Sequence, residues 1–141
     1  MTVVKLETAR GTPRKVVEQF FNACKELDFS AAGALLAEDC VYENVPFHTA
    51  RGKKRVLRDL NMMGKYLTQF DVEMVNIAVN GNVVITERID TLAGRFFSAD
   101  IALMGVLVVK DGKISEWRDY FDWSASGGLF MKSALKKLFR L

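Results

Sequence analysis

The chain is 141 residues long, half of them apolar and 26% charged, a balance that suits one globular domain with one core and leaves no disordered block or repeat. Its 20 basic residues against 17 acidic ones give a net charge of +3. Lys132, Lys136, Lys137 and Arg140 account for that excess, so no nucleic-acid partner is expected. No run approaches the roughly 18 apolar residues of a membrane span, and no apolar leader follows basic residues at the N-terminus, so a cytoplasmic protein without a membrane partner is expected.

Residues 1–141 are read as a single domain, with 1–10 flexible. Thr12-Pro13 is a helix start, with proline at the first helical position and Val16, Val17, Phe20, Phe21, Cys24 and Leu27 on one stripe. Ser30 is placed to cap a short second helix carrying Leu35 and Leu36. Residues 40–44 read as a strand ended by Pro46, followed by a His48-Thr49 loop. A third helix is expected over 52–67, its stripe being Val56, Leu60, Met63 and Leu67. The basic run Arg51, Lys53, Lys54, Arg55 and Arg58 falls mainly on its solvated side.

From Phe70 the apolar period changes from helical to two. Strands are expected over 70–79 and 83–92 around Asn80-Gly81, over 96–110 after a Gly94-Arg95 turn, and over 114–122 after Asp111-Gly112. Helices first and an antiparallel meander second make the fold class α+β. The expected form is a strongly curved, mainly antiparallel sheet wrapped around the N-terminal helices. After Gly127-Gly128, an amphipathic helix over 129–141 carries Met131, Ala134, Leu135, Leu138 and Phe139 on one face. Fifteen residues intervene between Cys24 and Cys40, without a CxxC pair or a histidine cluster. They read as reduced, buried thiols, and no metal site is expected.

Three short segments carry chemistry. In a strand, residues two apart share a face, so Arg88 and Asp90 point together; taken alone, with Ile89 facing the core, they read first as an exposed ion pair. Asp119 shares a face with Trp117 and Phe121. Either the aromatics are exposed, or the carboxylate is drawn into an apolar interior, where it is hydrogen-bonded to backbone or raised in pKa to the range of a useful base. Tyr42 and Asn44 likewise share a face, and both can hold a water.

Taken together, Tyr42-Glu43-Asn44-Val45-Pro46, Thr86-Glu87-Arg88-Ile89-Asp90 and Trp117-Arg118-Asp119-Tyr120-Phe121-Asp122, with their spacing, resemble the limonene-epoxide hydrolases. That resemblance implies a cone-shaped α+β fold shared with nuclear-transport-factor-like proteins, an apolar pocket, a homodimer and no cofactor. It implies an apolar epoxide and water as the reaction partners. It also implies roles: Asp119 as the base on a water held by Tyr42 and Asn44, Asp90 as the acid toward the epoxide oxygen, and Arg88 as the bridge between carboxylates.

The chemistry is consistent with such roles, because opening an epoxide at neutral pH needs attack on carbon together with protonation of a poor alkoxide leaving group. Buried together, Arg88, Asp90 and Asp119 would approach neutrality by keeping one proton, shared by the set. Arg88 alone pushes Asp90 toward ionisation, so desolvation and the second carboxylate must outweigh it for Asp90 to act as an acid. Candidate substrate-lining residues are Phe47, Leu57, Met62, Met63, Leu103, Trp117, Phe121 and Phe130, a set suited to a terpene-like, alicyclic or lipid epoxide. With His48 the single histidine, and no GxSxG elbow or Gly-rich phosphate loop, other enzyme classes fit less well. Two alternatives remain: an isomerase or polyketide cyclase on the same fold, and a non-catalytic dimeric module holding a lipid.

Overall fold

The computed structural model describes residues 11–121. The expected flexible lead-in, Asp122, and the helix at 129–141 with Phe130 lie outside the described residues. Helix α1 is Pro13–Lys25. Thr12 caps it by accepting a hydrogen bond from the Lys15 amide at 3.2 Å, and Pro13 occupies a first-turn position whose N–H needs no helical partner. Val16, Val17, Phe20, Phe21 and Cys24 form its buried stripe. Helix α2, Phe29–Ala34, starts earlier than the spacing suggests. Its cap is Asp28, not Ser30: Asp28 Oδ1 accepts from the Ala31 amide at 3.0 Å, and Phe29 then turns into the core at the first helical position.

Strand β1, Leu36–Val45, is longer than expected. It is followed by β2, His48–Arg51, where a loop was expected. Pro46-Phe47 makes a two-residue reversal, with the Phe47 amide bonded to the Asn44 carbonyl, and the His48 segment then pairs back along β1. Helix α3 is Lys53–Gly64. It stops short of Leu67 because Gly64 lies against the Phe29 ring and the Thr68 amide is already bonded to the Ala93 carbonyl, so the chain has turned into the sheet. Leu67 is nevertheless buried, and Lys54, Arg55 and Arg58 are exposed as expected.

The meander follows as β3 (Gln69–Asn80), β4 (Val83–Gly94), β5 (Phe97–Lys110) and β6 (Lys113–Phe121). Asp111 and Gly112 both adopt positive φ, 52° and 75°, the left-handed pair that a tight hairpin turn requires. The β4–β5 turn is Arg95-Phe96, one residue later than expected, because Gly94 still pairs with Phe97.

The strand order is β2-β1-β6-β5-β4-β3, a curved, unclosed sheet in which β1 and β6 run parallel and every other pairing is antiparallel. That parallel contact joins the first half of the chain to the last strand of the meander. Aromatic side chains from α1 pack on the sheet: Phe20 and Phe21 meet Trp117 of β6 edge to face, with ring centroids 5.0 and 6.1 Å apart.

Candidate active site

The register across the sheet sets the site. Asn44, Asp119, Gly105 and Thr86 follow one another in a cross-strand row from β1 to β4, and Phe121, Leu103, Arg88 and Met74 form the next row. Because side chains alternate between faces, Tyr42 and Trp117 flank the first row and Asp90 the second, all on the same face. The structure therefore brings Tyr42, Asn44, Arg88, Asp90 and Asp119 together, although they come from three strands.

Arg88 sits at the centre, 1% exposed. Its Nε and Nη2 donate to the two oxygens of Asp90 at 3.1 and 3.0 Å, a forked pair, and Nη2 also donates to Asp119 Oδ1 at 3.2 Å. Nη1 donates to Thr86 Oγ1 at 3.0 Å, and the Phe21 ring centroid lies 4.2 Å from the guanidinium carbon. Burial opposes the charge on Arg88, but Asp119 and Asp90 more than restore it, so the guanidinium is held above its ordinary pKa.

Asp119 Oδ1 accepts a second hydrogen bond, from Trp117 Nε1 at 2.9 Å, so the Arg88 and Trp117 donors act on one oxygen. Burial is the largest influence on this carboxyl and raises its pKa. Arg88 pulls it down, Asp90 pushes it up again, the hydrogen bonds lower it, and the carboxyl ends at about 6.

Tyr42 Oη donates to Asn44 Oδ1 at 2.6 Å. Desolvation, reinforced by Asp119, holds the Tyr42 phenol well above its usual pKa, so it stays protonated and able to donate. With Oδ1 occupied, Asn44 Nδ2 is left as a buried donor without a hydrogen-bond partner among the described residues. A buried amide N–H without an acceptor costs roughly 1–3 kcal/mol, which a bound oxygen would recover.

The expected lining residues divide. Leu103 and Phe121 lie in the Arg88 row, Leu103 buried and Phe121 half-buried. Trp117 stacks on Tyr42, with centroids 3.9 Å apart, and holds Asp119, so its contacts are with the polar cluster. Met63 is buried in α3, Met62 is half-buried, Leu57 lies against Gly33 of α2, and Phe47 is half-buried in the β1–β2 turn. Phe130 lies outside the described residues. A cleft of about 500 Å³ opens between α1 and β3, with Arg14, Glu18 and Lys25 among its lining. Its wall includes Phe21, Val72 and Met74, the ring on Arg88 and the cross-strand partners of Asp90 and Arg88.

Thr86, Phe21 and Gly105 were not anticipated as parts of the site. A glycine in the middle of an apolar strand was the available signal for Gly105, since it marks a close approach. His48 Nε2 and Asp59 Oδ2, 2.7 Å apart, tie β2 to α3. Among the described residues no group of three or more His, Cys, Asp or Glu could hold a metal.

The chain is similar to known proteins in sequence and in fold. The family model for the limonene-1,2-epoxide hydrolase catalytic domain matches residues 11–129. The chain is 41% identical over 107 residues to epoxide hydrolase EphG of Mycobacterium tuberculosis, covering 75% of this chain and 70% of that protein. A solved structure of an M. tuberculosis LEH-like epoxide hydrolase superposes with a TM-score of 0.75 at 34% identity, covering 89% of this chain and 94% of the other. A SnoaL-like polyketide cyclase structure from Shewanella putrefaciens gives a TM-score of 0.74 at 12% identity, covering 89% and 87%, a likeness of fold alone.

Proposed function

The chain belongs to the limonene-1,2-epoxide hydrolase family, and from that membership we propose that it adds water to an apolar epoxide in one acid–base step to give a vicinal diol. The observation that carries this reading is one buried arginine bonded to two carboxylates, beside an unpartnered amide donor.

A water at this point would accept from Asn44 Nδ2 and donate one hydrogen to Asp119 Oδ2 and the other to Tyr42 Oη. Its remaining lone pair is then free for carbon. As the new C–O bond forms, Asp119 takes the water's proton, the ring C–O bond breaks, and Asp90 gives its proton to the ring oxygen. Asp119 ends protonated and Asp90 ionised. Returning that proton to Asp90 resets the site with no net proton exchanged.

The productive state thus holds one proton across Asp90 and Asp119. With Asp119 at about 6, that proton is lost as pH rises through this value, so kcat/KM should fall above about pH 6. Its apparent pKa belongs to the coupled set. A panel of alicyclic, terpene-like and long-chain epoxides, followed as diol across pH, tests the reading. Diol with this alkaline fall is expected, and a folded protein that forms no diol from any of them refutes it. An arginine between two acids is superfluous for proton abstraction beside a carbonyl, which disfavours the isomerase and cyclase alternatives.

The lining supports an alicyclic, terpene-like or lipid substrate, since Leu103 and Phe121 stand in the arginine's own row. A homodimer is supported by Val75, Ile85, Met104 and Tyr120, apolar side chains 39–46% exposed along β3, β4, β5 and β6, and a solution mass of one chain would refute it. Two free, buried cysteines favour the cytoplasm, and among the described residues no helix is long and apolar enough to cross a membrane.

A further inference from the structure

Gly105 lies in the middle of β5, between Thr86 on β4 and Asp119 on β6. Its backbone lies outside the left-handed region, so conformational freedom does not explain the glycine there. Space does. A Cβ at this position would stand 2.5 Å from Arg88 Nη1, 2.7 Å from Thr86 Oγ1 and 3.0 Å from Asp119 Oδ1. An arginine tip can usually swing away from such a methyl group, but this one cannot do so cheaply. It is buried, forked onto Asp90, bonded to Asp119 and Thr86, and covered by the Phe21 ring. Thr86 is fully buried, and rotating its side chain would remove the oxygen from Nη1.

We propose that Gly105 and Thr86 are positioning residues that form the seat of Arg88: bare backbone admits the guanidinium, and the Thr86 hydroxyl fixes Nη1 so that Nε and Nη2 aim at the two carboxylates. The inference rests on the hydration reading for its kinetic consequence but not for its geometry. A methyl group at 105 pushes the guanidinium out of the fork, weakening its contacts with both acids at once. Replacing the Thr86 hydroxyl by a methyl leaves one buried guanidinium N–H without its acceptor.

The test compares Gly105→Ala, Thr86→Val and Thr86→Ser with the wild-type chain. One readout is steady-state turnover of an epoxide that the wild type hydrates, and the other is a carbon-13 NMR titration of the Asp119 carboxyl in the free protein. Gly105→Ala should lower kcat by ~10–100-fold while KM moves by less than ~3-fold, because geometry is lost while the apolar walls remain. Its Asp119 titration should move upward, since Arg88 normally pulls that carboxyl down. Thr86→Val should lower kcat in the same direction, and Thr86→Ser, which keeps the oxygen, should restore it.

Folded Gly105→Ala with wild-type kcat and an unmoved Asp119 titration overturns the seat, and so does Thr86→Ser as impaired as Thr86→Val. If Gly105→Ala does not fold, the two Thr86 variants decide. A wild-type chain that hydrates no epoxide refutes the reaction, while the Asp119 titration of Gly105→Ala still judges the seat.

Discussion

Asp119→Asn should lose ~10²–10⁴-fold in kcat and, at pH 8, become more stable than the wild type. Activity falls because asparagine cannot take the water's proton. It can still accept from Trp117 Nε1 and Arg88 Nη2 through its amide oxygen, so the frame around it persists. Stability rises for a reason fixed by the sign of the pKa shift. The folded value of Asp119 is about 6 against an ordinary 3.8, so the folded chain holds a proton that the unfolded chain releases between those values. Stability from this group is complete below pH 3.8, declines as pH rises, and stays at its low level above about 6. Asparagine removes that penalty, a gain of about 1–3 kcal/mol at pH 8 that shrinks toward pH 4. Denaturant melts at both pH values, beside turnover, would check it. A variant less stable than wild type at pH 8 contradicts the burial argument, and an active one contradicts the role.

Arg88→Met acts in the opposite direction on stability. Without the guanidinium, Asp90 and Asp119 remain two buried carboxyls close together, and removing one partner of such a network costs about 3–5 kcal/mol. Methionine fills part of the volume but none of the charge. Because Arg88 lowers the Asp119 pKa, its removal raises that value further, and the loss must grow as pH rises and ionisation is forced. The deficit should therefore be large at pH 8 and smaller at pH 5, with turnover abolished at both. Adding Asp119→Asn to Arg88→Met should return part of the stability at pH 8. Equal stability of Arg88→Met and wild type at pH 8 would mean that the carboxyls have another counter-charge.

Much of the site was legible because strands alternate. Period two put Arg88 with Asp90 and Trp117 with Asp119 on shared faces, and the turn signals at Gly94-Arg95 and Asp111-Gly112 put β5 between the two strands that carry them. Asn44 was harder. It reaches Asp119 only because β1 runs parallel to β6, a pairing between distant segments that no local pattern announces. Trp117 is expected in the pocket wall, and the part legible only in the structure is that its indole N–H holds Asp119, a contact that depends on side-chain direction. The four-residue β2 was missed because His48–Arg51 has no alternating apolar pattern and gains its strand form from β1. The helix ends shifted for local reasons, Asp28 replacing Ser30 as a cap and Gly64 ending α3 against Phe29.

In the proposed hydration, Asp119 acts on water and never attacks carbon. Its Oδ1 is held by Trp117 and Arg88, and the neighbouring Asn44 Nδ2 is a donor suited to a water oxygen. A single turnover with excess enzyme in oxygen-18 water distinguishes the two chemistries. Direct hydration predicts label in the diol at the first turnover and none in the Asp119 carboxyl. An ester intermediate would instead give an unlabelled first diol and leave oxygen-18 in the peptide containing Asp119.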